Sequence, residues 1–342
     1  MTVLVLDGAE RASLSMVRSL GKRGVNVHVG EFYESSTATL SKYCKEEIIY
    51  SNPQESMTEF IETLTSIIKE FNYEIIFSSR EVTTIPLSLF KSKIEEHTIV
   101  PFADWKQMES TVDKGKTFKL AEELGIPIPK THTLNHPDEL NEIKSEINYP
   151  LVVKPRSKTT WVNDLPIMMK VTKRNYVNSY ETLMQVSEHI FEHTSEMPLI
   201  QEYVKGVGYG VEGLFNHGAP RAFFMHKRLR EYPISGGAST LRESIHRQDM
   251  KEYAFELMES LNWHGVSMVE FKYDEKTNIS NLMEINGRFW GSLPLAIAAG
   301  VDFPYLLYKM LMEGDIEPVF DYKIGVKCRW LIPGDILWFI SS

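Results

Sequence analysis

Residues 265–288 read GVSMVEFKYDEKTNISNLMEINGR, and this stretch decides most of what the sequence predicts. Two runs rich in β-branched and apolar residues, 265–273 and 279–285, flank a polar segment and predict a β-hairpin. With its turn centred near Lys276 and Thr277, Glu270 and Glu284 lie opposite each other, since each is seven residues from Thr277. Two carboxylates directly across a strand pair repel each other, so the hairpin calls for a compensating cation.

The face of this hairpin that carries the two acids predicts a divalent-metal site. Strand alternation places Asn286 on the same face, and an amide oxygen beside two carboxylates suits Mg²⁺. The competing interpretation is a solvated face whose acids lie in water. Burial demanded by the flanking apolar residues, and an arginine at position 288, favour the metal. The face is predicted to carry Met268, Glu270, Lys272, Leu282, Glu284 and Asn286, and the buried residues are Val269, Phe271, Met283 and Ile285.

Composition predicts a globular chain of two or three domains. The 342 residues are 43% hydrophobic and 24% charged, and a domain usually takes roughly 100–200 residues. A net charge of −9 argues against a general nucleic-acid binder. Cys44 and Cys328 are too few for a disulfide framework and predict packed thiols in a reducing compartment. Neither a signal peptide nor an apolar run of about 18 residues is found, so we expect a cytoplasmic protein without membrane contact.

Residues 1–110 alternate short apolar strands with amphipathic helices, which predicts a doubly wound α/β domain. The first turn contains a single glycine, Gly8, so the three-glycine dinucleotide fingerprint is absent. Residues 111–198 form a second predicted domain, whose strand 151–154 ends in Lys154 and is followed by a loop, 156–166. Residues 199–342 form a third, mostly of strands. The overall fold class is therefore α/β and α+β, in several domains.

Several segments together resemble one enzyme superfamily. Met283-Glu284-Ile285-Asn286-Gly287-Arg288 resembles the E-x-N-x-R segment of ATP-grasp enzymes, and Val152-Val153-Lys154-Pro155 resembles their nucleotide lysine strand. Gln201-Glu202-Tyr203-Val204 resembles the hinge that holds adenine, and Asp113-Lys114 the entry to the central domain. The resemblance covers nearly the whole chain in order, with residues 1–110 as the preceding (pre-ATP-grasp) domain. The stretch 226–233 is similar to a subgroup named carboxylate–amine ligases or carbamoyl-phosphate-synthetase-like proteins.

The resemblance implies ATP and Mg²⁺ as cofactors, with Mn²⁺ as a substitute. It assigns the phosphates to Lys114 and Lys154, although each lysine could also be a solvated surface charge. It assigns the metal to Glu270, Glu284 and Asn286, and stabilisation of the transferred phosphoryl group to Arg288. The implied adenine contacts are Val152, Gln201, Glu202, Tyr203, Val204 and Met283.

The implied reaction joins a small carboxylate to an amine or amino acid through an acyl phosphate, releasing ADP and phosphate. Arg228, Arg230 and Arg242 are the candidates for binding the acceptor carboxylate, with solubilising charges at a strand edge as the alternative. Chemistry through carboxyphosphate or carbamate, and a nucleotide-binding module without turnover, are the competing functions. A homodimer is a candidate assembly, since the apolar stretch 289–312 suits either a core or an interface.

Two departures from the superfamily pattern concern the nucleotide. Gly208 stands where many relatives carry an acid for the ribose, which leaves Glu212 as the fallback. The phosphate loop 156–161 contains no glycine, and Arg156 or Lys158 is expected to replace backbone amides by charge. The polar segment 235–240 is a candidate for closing over the reacting groups.

Overall fold

The computed structural model describes residues 1–234 and 237–342. Within these residues, three sheets follow one another along the chain, and a short two-stranded ribbon accompanies the second. Ser235 and Gly236 of the predicted closing segment lie outside the described residues.

The first sheet is parallel, with strand order β3-β2-β1-β4 and helices between its strands, which confirms the predicted doubly wound α/β domain. The Ser56 hydroxyl accepts a hydrogen bond from the Glu59 N–H at 3.0 Å and so caps the second helix, and Asn72 ends that helix with φ of 51°. The elements are β1 (Thr2–Val5), α1 (Arg11–Lys22), β2 (Asn26–Glu31), β3 (Cys44–Ile49), α2 (Met57–Phe71), β4 (Ile75–Phe77), α3 (Glu81–Leu89) and α4 (Lys91–Ile94).

The carboxyl ends of β1 and β4 are tied together by one buried aspartate. Asp7 accepts hydrogen bonds from the backbone N–H groups of Ser79 and Arg80 at 2.7 and 2.9 Å through the same carboxylate oxygen. These strands flank the point where the strand order reverses, the usual ligand edge of such a sheet. The turn after β4 therefore presents Arg80 and Glu81 at this edge.

The second sheet is antiparallel, with order β5-β10-β6-β9. Its strand Leu199–Glu202 pairs with both neighbours in that sheet, so the change of sheet falls after Glu202, on the C-terminal side of the predicted boundary between residues 198 and 199. The predicted loop 156–166 also contains a strand, which pairs in the ribbon. The elements are α5 (Trp105–Val112), α6 (Lys114–Glu123), β5 (Thr131–Thr133), β6 (Leu151–Lys154), β7 (Thr159–Val162), β8 (Leu165–Met168), β9 (Tyr176–Val177), α7 (Tyr180–Thr194) and β10 (Leu199–Glu202).

The third sheet has six strands in the order β15-β14-β11-β12-β13-β16, all antiparallel. Its two faces are apolar: one packs Val269, Phe271 and Ile285 into a core shared with α2 and α5. The elements are β11 (Val207–Asn216), β12 (Ala219–Tyr232), β13 (Ala238–Ser244), α8 (Gln248–Ser260), β14 (Gly265–Asp274), β15 (Ile279–Asn286), α9 (Leu293–Ala299), α10 (Phe303–Glu313), β16 (Lys327–Arg329) and α11 (Ile336–Ser341).

In the part of the chain that the structure describes, no single helix is long and apolar enough to cross a membrane. Among the described residues, only α9 and α10 together reach that length and composition, and they are bent by 82° at their junction. Leu293, Leu295, Phe303 and Leu307 of this pair are buried in the core beside the third sheet.

Candidate functional site

A cleft of about 810 Å³ is lined by residues from all three sheets. Arg80 and Glu81 come from the ligand edge of the first sheet, Lys154 from the second, and Glu270 and Glu284 from the third. A smaller pocket of about 180 Å³ adjoins this cleft. The cleft and the pocket share Lys158, Arg228, Ala238, Glu270 and Arg288.

The predicted pair of carboxylates is present on the hairpin. Glu270 of β14 is the direct cross-strand partner of Glu284 of β15, and Asn286 is the partner of Met268. The Asn286 amide donates to a carboxylate oxygen of Glu270 at 3.2 Å and of Glu284 at 3.3 Å. We call Glu270, Glu284 and Asn286 the carboxylate centre.

A β-bulge beside the centre changes the predicted faces of β15. The register shifts between Glu270 and Phe271, so that Phe271 pairs with Leu282 and Met283 is the extra residue. Leu282, expected on the acidic face, is instead buried with Phe271 in the opposite core. Met283, expected to be buried, lines the cleft next to Glu284. The bulge thus turns two consecutive residues toward the cleft.

Cations already neutralise the carboxylate centre. The Lys158 ammonium donates to Glu284 at 2.6 Å and to the Asn286 amide oxygen at 3.0 Å, and Lys114 lies 4.0 Å from Glu284. Arg228 is hydrogen-bonded to Glu270. Burial raises the pKa of Glu284, but Lys158 and Lys114 outweigh it and hold the pKa below its usual range. The carboxylate is therefore ionised at neutral pH.

The oxygen atoms of this centre fit a divalent metal. Glu284 and the Asn286 amide oxygen already hold one cation, the Lys158 ammonium, between them. Two carboxylates and an amide oxygen are ligands that Mg²⁺ accepts, and Mg²⁺ usually completes its shell with water and phosphate oxygens.

The two predicted phosphate lysines sit at this end of the cleft. Asp113 caps α6 by accepting from the Gly115 N–H at 2.7 Å, which fixes Lys114 at the start of the helix. The Lys154 ammonium donates to the Gln201 side chain at 2.6 Å. Burial lowers the pKa of Lys154 to about 8; Glu284 opposes this shift and Lys114 adds to it. An anionic ligand beside this lysine would stabilise its charged form and raise its pKa.

The predicted adenine contacts are only partly brought together. Tyr203 and Met283 line the cleft, with Tyr176 edge-on to Tyr203 at 5.8 Å between ring centres. The Glu202 carboxylate is turned away and accepts from the Lys130 N–H at 2.9 Å. Val152 is buried in the strand pair with Gln201, and neither it nor Val204 is among the residues that line the cleft.

The predicted arginines separate into three environments. Arg288 donates to Glu81 and to the Asn286 amide oxygen, both at 3.1 Å. Arg228 joins Glu270 to Glu231 in the cleft wall. Arg230 lines neither cavity: it pairs with buried Asp335 at 3.0 Å, and its guanidinium lies 4.1 Å from the centre of the Trp338 ring. The position of Arg230 does not fit the predicted binding of the acceptor.

The structure also tests the residues predicted to replace the missing ribose acid and the missing glycines of the phosphate loop. Glu212 is buried and hydrogen-bonded to His226 at 2.8 Å and to Ser292 at 2.9 Å. It therefore does not reach the cleft, where it was predicted as the alternative acid for binding the ribose. Glu231 lies against Gly208, where an added Cβ would be 3.2 Å from its carboxylate. Arg156 pairs with Asp113 at 3.6 Å outside the cleft lining, whereas Lys158 lines the cleft.

Three functional candidates escaped the sequence reasoning: Glu81, Arg11 and Glu231. Glu81 contacts Arg288 across the interface of the first and third sheets, and Arg11 lines the smaller pocket. Burial raises the pKa of Glu81, but the charges of Arg288 and Lys158 outweigh burial, so the pKa lies below its usual value. The one available signal was position, since Glu81 follows β4 at the carboxyl edge of a parallel sheet.

Comparison with known proteins places this geometry in a family context. The family model described as "ATP-grasp in the biosynthetic pathway with Ter operon" matches residues 194–331. A carbamoyl phosphate synthase large chain, C-terminal section, from Methanopyrus kandleri is 23% identical over 80% of this chain and 53% of its own length. A D-aspartate ligase from Enterococcus faecium is 21% identical over 67% of this chain and 58% of its own length. The chain therefore spans little more than half of these two relatives.

Solved structures agree with the sequence relatives. The L-amino acid ligase from Bacillus licheniformis superimposes with a TM-score of 0.68 at 15% identity, over 93% of this chain and 77% of its own. Likeness at this identity establishes the fold. With its three sheets in this order, the chain has the ATP-grasp fold, and its residues 194–331 match an ATP-grasp family model.

Proposed function

We propose that the chain is an ATP-dependent, ADP-forming ligase that joins a small carboxylate to an amine or amino acid through an acyl phosphate. The observation that carries this proposal is the carboxylate centre, which faces Lys114, Lys154 and Arg288 within one cleft. Anionic metal ligands beside phosphate-binding cations are what phosphoryl transfer requires. The names of the D-aspartate ligase and the L-amino acid ligase support the same class of reaction.

In this proposal the nucleotide lies along the cleft from Tyr203 to the carboxylate centre. Its base packs against Met283 and Tyr203, and its phosphates bind the ammonium groups of Lys154 and Lys114. Glu231 accepts hydrogen bonds from the ribose hydroxyls. It thereby does the work of the acid that many ATP-grasp enzymes carry at the position of Gly208.

Glu270, Glu284 and Asn286 hold Mg²⁺ in this proposal, with Mn²⁺ as a substitute. Bound there, the metal neutralises charge on the phosphate oxygens. Lys158 then leaves Glu284 and Asn286 and binds a phosphate oxygen instead. Its ammonium takes the part that the backbone amides of a glycine-rich loop would otherwise play.

The acceptor carboxylate attacks the γ-phosphorus, the bond to the bridging oxygen breaks, and ADP leaves. The amine then attacks the acyl carbon, the carbon–oxygen bond breaks, phosphate leaves, and the nitrogen loses a proton to solvent. Arg288 lies beside the reacting oxygens, held by Glu81, and stabilises the negative charge that develops on them. Most of the rate enhancement comes from positioning and charge, so no nucleophilic side chain is needed.

The test is release of ADP and phosphate from ATP with Mg²⁺, using pooled amino acids, dipeptides and small carboxylates. Release that requires both a carboxylate and an amine supports the ligase. Release with bicarbonate alone would favour carboxyphosphate chemistry. Nucleotide binding without release from any pool would reject turnover in favour of a binding module.

A further inference from the structure

The smaller pocket is rich in hydrogen-bond donors that have nothing to bind. Four of the residues that line it carry a buried N–H group without an acceptor among residues 1–234 and 237–342: Nε of Arg228, Arg242 and Arg288, and Nε1 of Trp290. Buried donors in proteins are nearly always paired, so four around one pocket of about 180 Å³ indicate a ligand that accepts hydrogen bonds. We call this cavity the arginine pocket.

One end of the arginine pocket holds a guanidinium without an ion pair. Arg242 is 4% exposed and has no carboxylate within 4 Å in the described part of the chain. It donates to the backbone oxygens of Gly291, at 2.9 Å, and Ser239. The arginine side chain has five N–H donors, and an arginine as deeply buried as Arg242 is almost always paired with an acid. Burial lowers the pKa of Arg242 to about 10; the nearby charge of Arg11 adds to the shift, and the charge of buried Glu212 opposes it.

A second unpaired guanidinium lies beside the first. Arg11 enters from α1 of the first sheet, and its guanidinium lies 3.7 Å from the centre of the Trp330 ring. An added Cβ on Gly291 would be 3.2 Å from Arg11, so Gly291 contacts both arginines. Like Arg242, Arg11 has no ion pair with any described residue.

The other end of the pocket differs, because its cations are paired. Lys158 contacts Glu284, Arg228 contacts Glu270, and Arg288 contacts Glu81. This end is shared with the large cleft, at Glu270 and Arg288. A molecule that fills the pocket would therefore have one end at the carboxylate centre and the other end at two guanidinium groups without an ion pair.

We propose that the acceptor acid carries a second anionic group, which binds Arg242 and Arg11 while its reacting carboxylate lies at Arg288. The reacting end of this inference rests on the proposed function, whereas the distal end rests on the pocket alone. Arginine binds carboxylate and phosphate oxygens alike through its planar fork, so a dicarboxylate and a phosphorylated acid share the required chemistry. The small volume of the pocket suits a short acid rather than a drug-sized one, which takes roughly 300 Å³ or more.

The test is titration calorimetry of the full chain with MgADP present, using three probes of similar length: glutarate, 3-phosphonopropionate and butyrate. We expect at least one of the two dianions to bind about tenfold or more tightly than butyrate, and the stronger of the two identifies the second anionic group. Arg242→Met and Arg11→Met are each expected to reduce this preference to within about twofold. Arg221→Met, which removes an arginine paired with Asp315 outside both cavities, is the matched control and is expected to keep it.

Equal binding of butyrate and both dianions would overturn the inference, and so would an undiminished preference in Arg11→Met. Because Arg11 is only half-buried, this variant decides the matter if Arg242→Met fails to fold. The assay needs no turnover. A chain that binds a dianion through these arginines but releases no ADP would therefore retain this inference and reject the ligase. A chain that releases ADP with monocarboxylates alone would do the reverse.

Discussion

The carboxylate centre and the arginine pocket adjoin each other but treat charge in opposite ways. At the carboxylate centre, Glu284 is matched by Lys158 at 2.6 Å, and Glu270 by Arg228. At the far end of the arginine pocket, neither Arg11 nor Arg242 forms an ion pair within 4 Å with any described residue. A matched site exchanges one cation for another when its ligand arrives, whereas an unmatched site gains a missing partner. We therefore expect the carboxylate centre to bind a metal by releasing a lysine, and the arginine pocket to bind an anion without releasing any protein group.

Glu284→Gln has the largest expected effect, because it removes a proposed metal ligand and the partner of Lys158. We expect ADP release to fall about 10²–10³-fold, the usual cost of losing one preorganised electrostatic contact in an active site. Glu243→Gln, which removes an acid paired with Lys327 outside both cavities, is the control. More than a tenth of the activity remaining in Glu284→Gln would contradict the assignment.

Lys154→Met tests the phosphate end of the cleft. Loss of a charged hydrogen bond costs about 1.5–3 kcal/mol, so we expect MgADP affinity to fall about 10–100-fold. The pKa of Lys154 is about 8 without ligand, and phosphates favour its charged form. Binding should therefore take up protons near and above pH 8, and affinity should weaken as pH rises through that range.

Calorimetry in buffers of different ionisation enthalpy measures this proton uptake. Lys154→Met should abolish it, whereas Lys173→Met, an exposed lysine outside the cleft, should retain it. Uptake that persists in Lys154→Met would assign the titration to another group.

Lys158→Met sharpens the idea of cation exchange. Removing the ammonium that lies on Glu284 and Asn286 frees those oxygens, so we expect Mn²⁺ to bind about tenfold more tightly without nucleotide. Electron paramagnetic resonance of free Mn²⁺ measures the affinity. Lys170→Met removes a cleft lysine that has no ion pair with the centre, and it is expected to have a smaller effect. Unchanged or weaker binding in Lys158→Met would mean that Lys158 does not compete with the metal.

The smallest expected effects contrast a paired arginine with an unpaired one. Arg230→Met should lower the free energy of unfolding by about 1–2 kcal/mol, because buried Asp335 loses one of its arginine partners and keeps Arg329. Arg242→Met removes a buried charge without a counter-ion and should leave stability unchanged or higher. Denaturant unfolding of both variants measures the contrast. A larger loss in Arg242→Met than in Arg230→Met would reverse it.

Local pattern was sufficient to predict the pieces of this fold. The helix Met57–Phe71 is one of the amphipathic helices that the alternation in residues 1–110 predicts, because its cap and its apolar spacing are both local. The opposition of Glu270 and Glu284 was predicted from the length of the turn, and the structure confirms it. The resemblance to ATP-grasp enzymes followed from motifs in order, and the fold and the family model over residues 194–331 confirm it.

Features that depend on distant neighbours were not predictable in the same way. The bulge at Met283 leaves no mark in a run of alternating residues, so Leu282 was assigned to the wrong face. Arg228, Arg230 and Arg242 look equivalent in sequence, and only the tertiary positions of Glu270 and Asp335 separate them. The site roles, the cytoplasmic location and the homodimer stay predictions.

The bulge on β15 has a thermodynamic consequence. Because Met283 and Glu284 are consecutive and both line the cleft, one peptide unit carries the proposed contact for the nucleotide base and the proposed ligand for the metal. A shift of that unit by either ligand alters the geometry offered to the other. Their binding free energies are then coupled, and linkage requires the coupling to be reciprocal: the factor by which metal tightens nucleotide is the factor by which nucleotide tightens metal.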